Sequence, residues 1–123
     1  MDRKIVVDLN LKSFEALIST VRNPLKGQGL FVVMFTASWC KPCKSIKDLC
    51  VSSFAKLPDP AVIAVIDIDE NLDLYFFMKS KSMLTGVPTL MAWYGPCGDH
   101  TNWYVPDRSV AGADEEDIKM FFQ

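Results

Sequence analysis

Two cysteines, Cys40 and Cys43, stand two residues apart in FTASWCKPCKS, the stretch from Phe35 to Ser45, directly after an apolar run. Such a pair does one of two things: it cycles between dithiol and disulfide, or it supplies half of a metal site. The metal use has a candidate second half, because Cys97 and His100 are spaced C-x-x-H and would complete a zinc set with Cys40 and Cys43. Against zinc, the first pair lies at a junction between an apolar strand and a helix, not on a knuckle between small strands. Gly95, Pro96 and Gly98 already account for the second segment as a loop. Cys50 falls on the apolar stripe of a helix and reads as a small buried hydrophobe.

Redox cycling needs a stabilised thiolate. Cys40 would lie at the start of the helix, where free backbone N–H groups and the helix dipole favour an anion. A free cysteine ionises with a pKa of about 8.5. A partly buried helix terminus stabilises an anion by up to about 2 kcal/mol, which is worth about 1.5 pKa units. Lys41, solvated, adds little to this. Pro42 fits the first helical turn, where its missing N–H costs nothing, and it stiffens the segment between the sulfurs. Cys43, deeper in the wall, would be the thiol that resolves the mixed disulfide formed by Cys40 with a target.

The elements that must position this pair follow from periodicity. The chain has 123 residues, half of them hydrophobic, which suits one domain spanning 1–123. Lys4 to Asp8 read as a strand, and Asn10 as the cap of a helix whose Phe14, Leu17, Ile18 and Val21 face a core, with Leu9 and Phe14 as a hydrophobic staple. Pro24, Gly27 and Gly29 end that helix, and Leu30 to Thr36 form a strand buried on both faces. A single helix should then run from the cysteine pair through Ile46, Cys50, Phe54 and Leu57 to the break at Pro58–Pro60. Ala61 to Asp69 read as a second buried strand. Asn71 to Ser80 read as a helix burying Leu72, Tyr75 and Phe76, and Thr89 to Tyr94 as a further strand. Trp103 to Val105 or Ser109 to Ala111 would supply the last strand, and Asp114 caps a helix through Phe122. Alternating strands and helices predict an α/β fold, a mixed sheet of about four to five strands with helices on both faces.

The net charge of −2 and the absence of a Lys/Arg block exclude an electrostatic footprint for nucleic acid. The first residues, MDRKIVVDLN, hold too short an apolar run for a signal peptide, and nothing reaches a membrane span of about 20 apolar residues. A cytoplasmic chain is the expectation, in a compartment where cysteines are more often catalytic or metal-bound than paired structurally.

By these residues the chain resembles the thioredoxin family, whose W-C-x-P-C-K pattern is met by Trp39, Cys40, Lys41, Pro42, Cys43 and Lys44. Gly86 to Thr89, GVPT, is similar to the family's cis-proline loop, the alternative being an ordinary trans proline before a strand. Gly112 matches a glycine of the family, and the resemblance runs from about Ile5 to Phe122. It implies a thioredoxin fold in which Val87–Pro88 is cis, faces the dithiol, and offers backbone at Val87, Pro88 and Thr89 to an extended substrate strand. It also implies a protein-disulfide reductase working without metal or bound cofactor. Its substrates would be disulfide-containing proteins, its electron donor a reductase, and its state monomeric. Two rivals stay open: a binding module with a relic or zinc-clamped dithiol, and an oxidase or isomerase, which Lys41 in place of the family's common glycine would favour by stabilising the thiolate.

The chain departs from the family in two places. The family usually buries an aspartate six residues before the first active-site cysteine with a lysine near it; here those positions are Met34 and Val65. Their joint replacement avoids a lone buried charge, and it predicts slower resolution by Cys43. The Gly95 to Arg108 connection is longer than the family's hairpin. Its Trp103 and Tyr104 read as covers for a sheet edge, or as part of a docking surface beside a redox-sensitive Cys97.

Overall fold

The computed structural model describes residues 4–23, 29–58, 61–95 and 102–123. Its elements in chain order are β1 (Ile5–Val6), α1 (Leu11–Arg22), β2 (Leu30–Thr36), α2 (Lys41–Ser45), α3 (Lys47–Ala55), β3 (Ala61–Asp67), α4 (Leu72–Ser80), β4 (Thr89–Tyr94), β5 (Arg108–Ala111) and α5 (Glu115–Phe121). The strands form a five-stranded sheet in the order β1-β3-β2-β4-β5. β1 and β2 run parallel to β3, while β4 is antiparallel to β2 and to β5. This is the mixed α/β sheet expected from the alternation of strands and helices.

β2 explains the layering. Successive side chains of a strand point to opposite faces. Phe31, Val33 and Phe35 join Phe14, Ile18 and Val21 of α1 and Leu74 and Met78 of α4 in one core. Val32 and Met34 join Ile46, Cys50 and Phe54 and α5's Ile118 and Phe121 in a second core. Both faces are therefore apolar, which is why the strand reads as an unbroken hydrophobic run. α1 starts at Asn10, whose side-chain oxygen accepts the Ser13 N–H at 2.8 Å, and Leu9 and Phe14 are both buried beside it as the staple requires. The helix end comes so close to the sheet that a Cβ on Gly29 would lie 2.7 Å from the Val21 Cα.

Three expectations need correction, and one alternative is decided. The helix after the cysteine pair is broken at Ile46 into α2 and α3. Ser45 Oγ donates to the Pro42 carbonyl at 2.8 Å, the acceptor that Ile46 N–H would otherwise use, and such back-bonding bends helices. The break lets Cys43 face one core and Ile46, Cys50 and Phe54 the other. α4 turns a different face inward: Leu74 and Met78 are buried, while Leu72 and Phe76 are exposed and Tyr75 is half-buried. Its sequence, LDLYFFMKS, is apolar nearly all round, so periodicity alone did not choose the face. Of the two segments offered for the last strand the chain uses the second, as Arg108–Ala111, and Trp103–Tyr104 is a turn. Trp103 does not cover a sheet edge; its ring packs on Phe14 at 6.0 Å and stacks on Phe77 at 5.4 Å, while Tyr104 meets Phe77 edge-on at 5.6 Å.

Candidate active site

β2 and β3 run parallel with Thr36 opposite Asp67, so the loops leaving their C-terminal ends emerge side by side. The first loop brings the chain to Cys40, whose N–H donates to the Ala37 carbonyl at 3.1 Å. Cys40 is the N-cap of α2, with extended backbone, and its Sγ accepts the Cys43 N–H at 3.2 Å. A sulfur in this position occupies the place usually taken by a serine or aspartate oxygen, and a thiolate there gains a charge-assisted bond from that N–H. Lys41 and Pro42 fill the first turn, both exposed, and Lys44 is exposed one turn on. Cys40 and Cys43 are joined as a disulfide with Cα atoms 5.3 Å apart. Both sulfur-bearing residues are buried within the core that α1 and α4 cover.

The second segment approaches from β4. The Val87–Pro88 peptide is cis, as the resemblance implied. The Val87 carbonyl oxygen lies 3.7 Å from Cys40 Sγ. The turn is held from both sides: Thr89 Oγ1, buried, donates to the Gly86 carbonyl at 2.7 Å, and the Pro88 carbonyl accepts the Gly112 N–H at 2.9 Å. Gly112 has φ +98°, a conformation that side chains disfavour, which accounts for a glycine at this point.

Trp39 forms the open side of the site, its ring 64% exposed and its Nε1–H donating to Asp69 Oδ2 at 2.8 Å. Asp69 was not among the residues singled out from sequence. The signal was available: an acidic residue just past β3, beside the loop past β2, where open α/β sheets gather their functional groups.

The structure thus brings Trp39, Cys40, Cys43 and Val87 together, with Lys41 and Lys44 on the solvent side. Met34 and Val65 are direct partners across β2 and β3, Met34 buried and Val65 half-buried, both in the second core. Cys97 and His100, the other half of the zinc set, lie outside the described residues. Among the described residues no three His, Cys, Asp or Glu side chains converge as a metal would need. Cys50 is fully buried, and burial pushes its thiol pKa from 9.0 up to about 11. Among the described residues no helix is long and apolar enough to cross a membrane.

Comparison with known proteins agrees with this geometry. The family model for thioredoxin matches residues 5–116. The thioredoxin of Echinococcus granulosus is 30% identical over 99 residues, covering 80% of this chain and 80% of that protein. The thioredoxin of Ophiophagus hannah is 40% identical over 82 residues, covering 67% of this chain and 70% of that protein. Among solved structures, Schistosoma mansoni thioredoxin superposes with a TM-score of 0.67 at 24% identity, over 96% of this chain and 93% of that one.

Proposed function

This chain belongs to the thioredoxin family and carries the Cys40–Cys43 pair of a thiol-disulfide oxidoreductase, and we propose that within this class it reduces disulfides in other proteins. The observation that carries the reading is the cap: Cys40 Sγ receives the Cys43 N–H at the start of α2, beside the Val87 carbonyl. In the dithiol form Cys40 attacks as the thiolate, forms an S–S bond to one sulfur of the target, and releases the other as a thiolate. Cys43 then attacks Cys40 Sγ and expels the second target thiolate. Two electrons pass from the pair to the target, and the protein is left as the disulfide.

Cys43 must lose its proton in the second step. With Met34 and Val65 apolar, that proton passes to water or to the departing thiolate. Trp39 forms the rim over which the target lies, and the backbone of Val87, Pro88 and Thr89 pairs with its extended strand. Lys41 and Lys44 flank the attacking sulfur on the solvent side, and Pro42 keeps the segment between the sulfurs stiff. Electrons come from another protein, a reductase. The chain acts as a monomer in a thiol-reducing, cytoplasmic setting and needs no metal or bound cofactor.

The test is equilibration in graded redox buffers, alkylation of free thiols, and counting by mass spectrometry with Trp39 fluorescence as a second readout. A two-electron transition confined to Cys40 and Cys43 near the thioredoxin value of about −270 mV is expected. A transition between about −180 and −120 mV, as in isomerases and oxidases, would reverse the direction of electron flow. Insulin reduction by the wild type, lost in Cys40→Ser, separates an enzyme from a binding module.

A further inference from the structure

The rim beyond Trp39 has a chemistry of its own. On the solvent face of α4, Leu72 and Phe76 are 48% and 56% exposed, two large apolar groups spaced i, i+4 on one ridge. Between that ridge and Trp39 lies Asp69, hydrogen-bonded to the indole. An open cleft of about 300 Å³ runs beside it, its wall running from Leu9 and Asn10 to residues 69–74, with no basic side chain among the described residues that line it. Lys79, further along α4, is drawn over the Tyr75 ring at 5.7 Å. Outward from the site the order is Val87 to Cys40 at 3.7 Å, then Trp39, then Asp69 at 2.8 Å, with the first turn of α4 beginning three residues later at Leu72.

Resting on the reading of Cys40 and Cys43 as a reductase dithiol, we propose that this face selects its substrates. The preferred target is an extended segment whose reactive cysteine is flanked, on the side that leaves Val87 and crosses Trp39, by a lysine or arginine and then by an apolar residue. The apolar residue covers Leu72 and Phe76, which stay about half exposed although the Phe76 ring meets Tyr75 at 5.4 Å. The basic residue meets Asp69, Glu70 and Asp73. An acidic flank at the same place brings like charges together, which disfavours the encounter.

Synthetic peptides test this directly, each holding one cysteine as a mixed disulfide with a coloured aromatic thiol. Cys40 thiolate attacks the peptide sulfur and the aromatic thiolate leaves. Cys43 then displaces the peptide thiol, which takes up the proton Cys43 gives away, and the Cys40–Cys43 disulfide forms. Four flanks are compared in the reduced full chain: lysine–leucine, glutamate–leucine, lysine–serine and serine–serine.

The lysine–leucine peptide should react about three- to ten-fold faster than the glutamate–leucine one at low salt. The ratio should shrink toward one near 1 M salt, where screening reaches about 3 Å. Glu70→Lys/Asp73→Lys should invert the preference, and Leu72→Ser/Phe76→Ser should narrow the gap between lysine–leucine and lysine–serine peptides. Each readout is a ratio of rates on one preparation, so partial unfolding of a variant does not mimic the effect. Equal rates on the four flanks, or a preference that survives the charge reversal, overturn the proposal while leaving the reductase intact. Failure to release the aromatic thiolate from any peptide overturns both. Rates that fall with protein concentration, restored by Phe76→Lys, would make the ridge a contact between copies of the chain and also overturn it.

Discussion

Cys50 and Cys40 carry the same side chain in opposite surroundings. Cys40 Sγ has a backbone N–H aimed at it, whereas Cys50 is packed among Ile46, Phe54 and Met34 and its thiol is held protonated up to about pH 11. At pH 8, alkylation of the reduced native protein should therefore spare Cys50 and modify it only in denaturant, as peptide mapping would show. Because folding raises this pKa, the contribution to stability is complete below about pH 9.0 and is lost as the pH rises to about 11. Denaturation midpoints across that range should lose this slope in Cys50→Ala. Met34 was legible by counting back six residues from Cys40 and Val65 by its place on the next strand, and the register pairs the two across β2 and β3. Met34→Asp alone should cost about 3–5 kcal/mol, since it buries an unpaired charge. Met34→Asp/Val65→Lys should recover part of that loss and resolve mixed disulfides faster than the wild type in stopped flow. Equal resolution rates would show that the missing acid has no kinetic consequence here.

Elements were legible where one force dominated. β2 and β4 lie where unbroken apolar runs put them, because central strands buried on both faces have no alternation to misread. Asn10 and Asp114 cap their helices as read, since a capping side chain acts within three residues and needs no knowledge of the fold. The inward face of α4 was not legible, because six of its nine residues are apolar and the choice falls to tertiary packing. At the break before α3, Ser45 Oγ bonds back to the Pro42 carbonyl, and no proline or glycine at the joint announces it in the sequence. Two turns carry backbone predictions. Ser82, after α4, has φ +60°, so Ser82→Gly should raise stability by about 0.5–1 kcal/mol in chemical denaturation. Gly112 has φ +98° and holds Pro88 through its N–H, so Gly112→Ala should cost about 1–2 kcal/mol. Because its partner belongs to the proline loop, this variant should also slow attack on protein disulfides more than on a small aromatic disulfide.

At the scale of the whole molecule, the long connection between β4 and β5 is fastened by charge. Arg22 at the end of α1 pairs with Asp107 at 3.2 Å and donates to the Tyr94 and Val105 carbonyls at 3.2 and 3.4 Å. Asp107 also accepts the Tyr94 N–H at 2.9 Å. Both side chains are largely buried, so Arg22→Ala should destabilise the fold by about 3 kcal/mol, measured by urea denaturation. Sequence alone did not foresee this tie, since its partners are 85 positions apart in the chain. The outer strands carry a different consequence. β1 is only two residues long, and it pairs with Ile63 and Ala64 in the middle of AVIAVID, a segment with strong strand propensity and a single charge. Such a segment with a free edge is a template for fibrils. Ile5 and Val6 thus act as a guard against self-templating as well as a piece of the sheet, and a chain beginning at Asp8 should accumulate thioflavin-positive aggregate on prolonged incubation where the full chain stays dispersed.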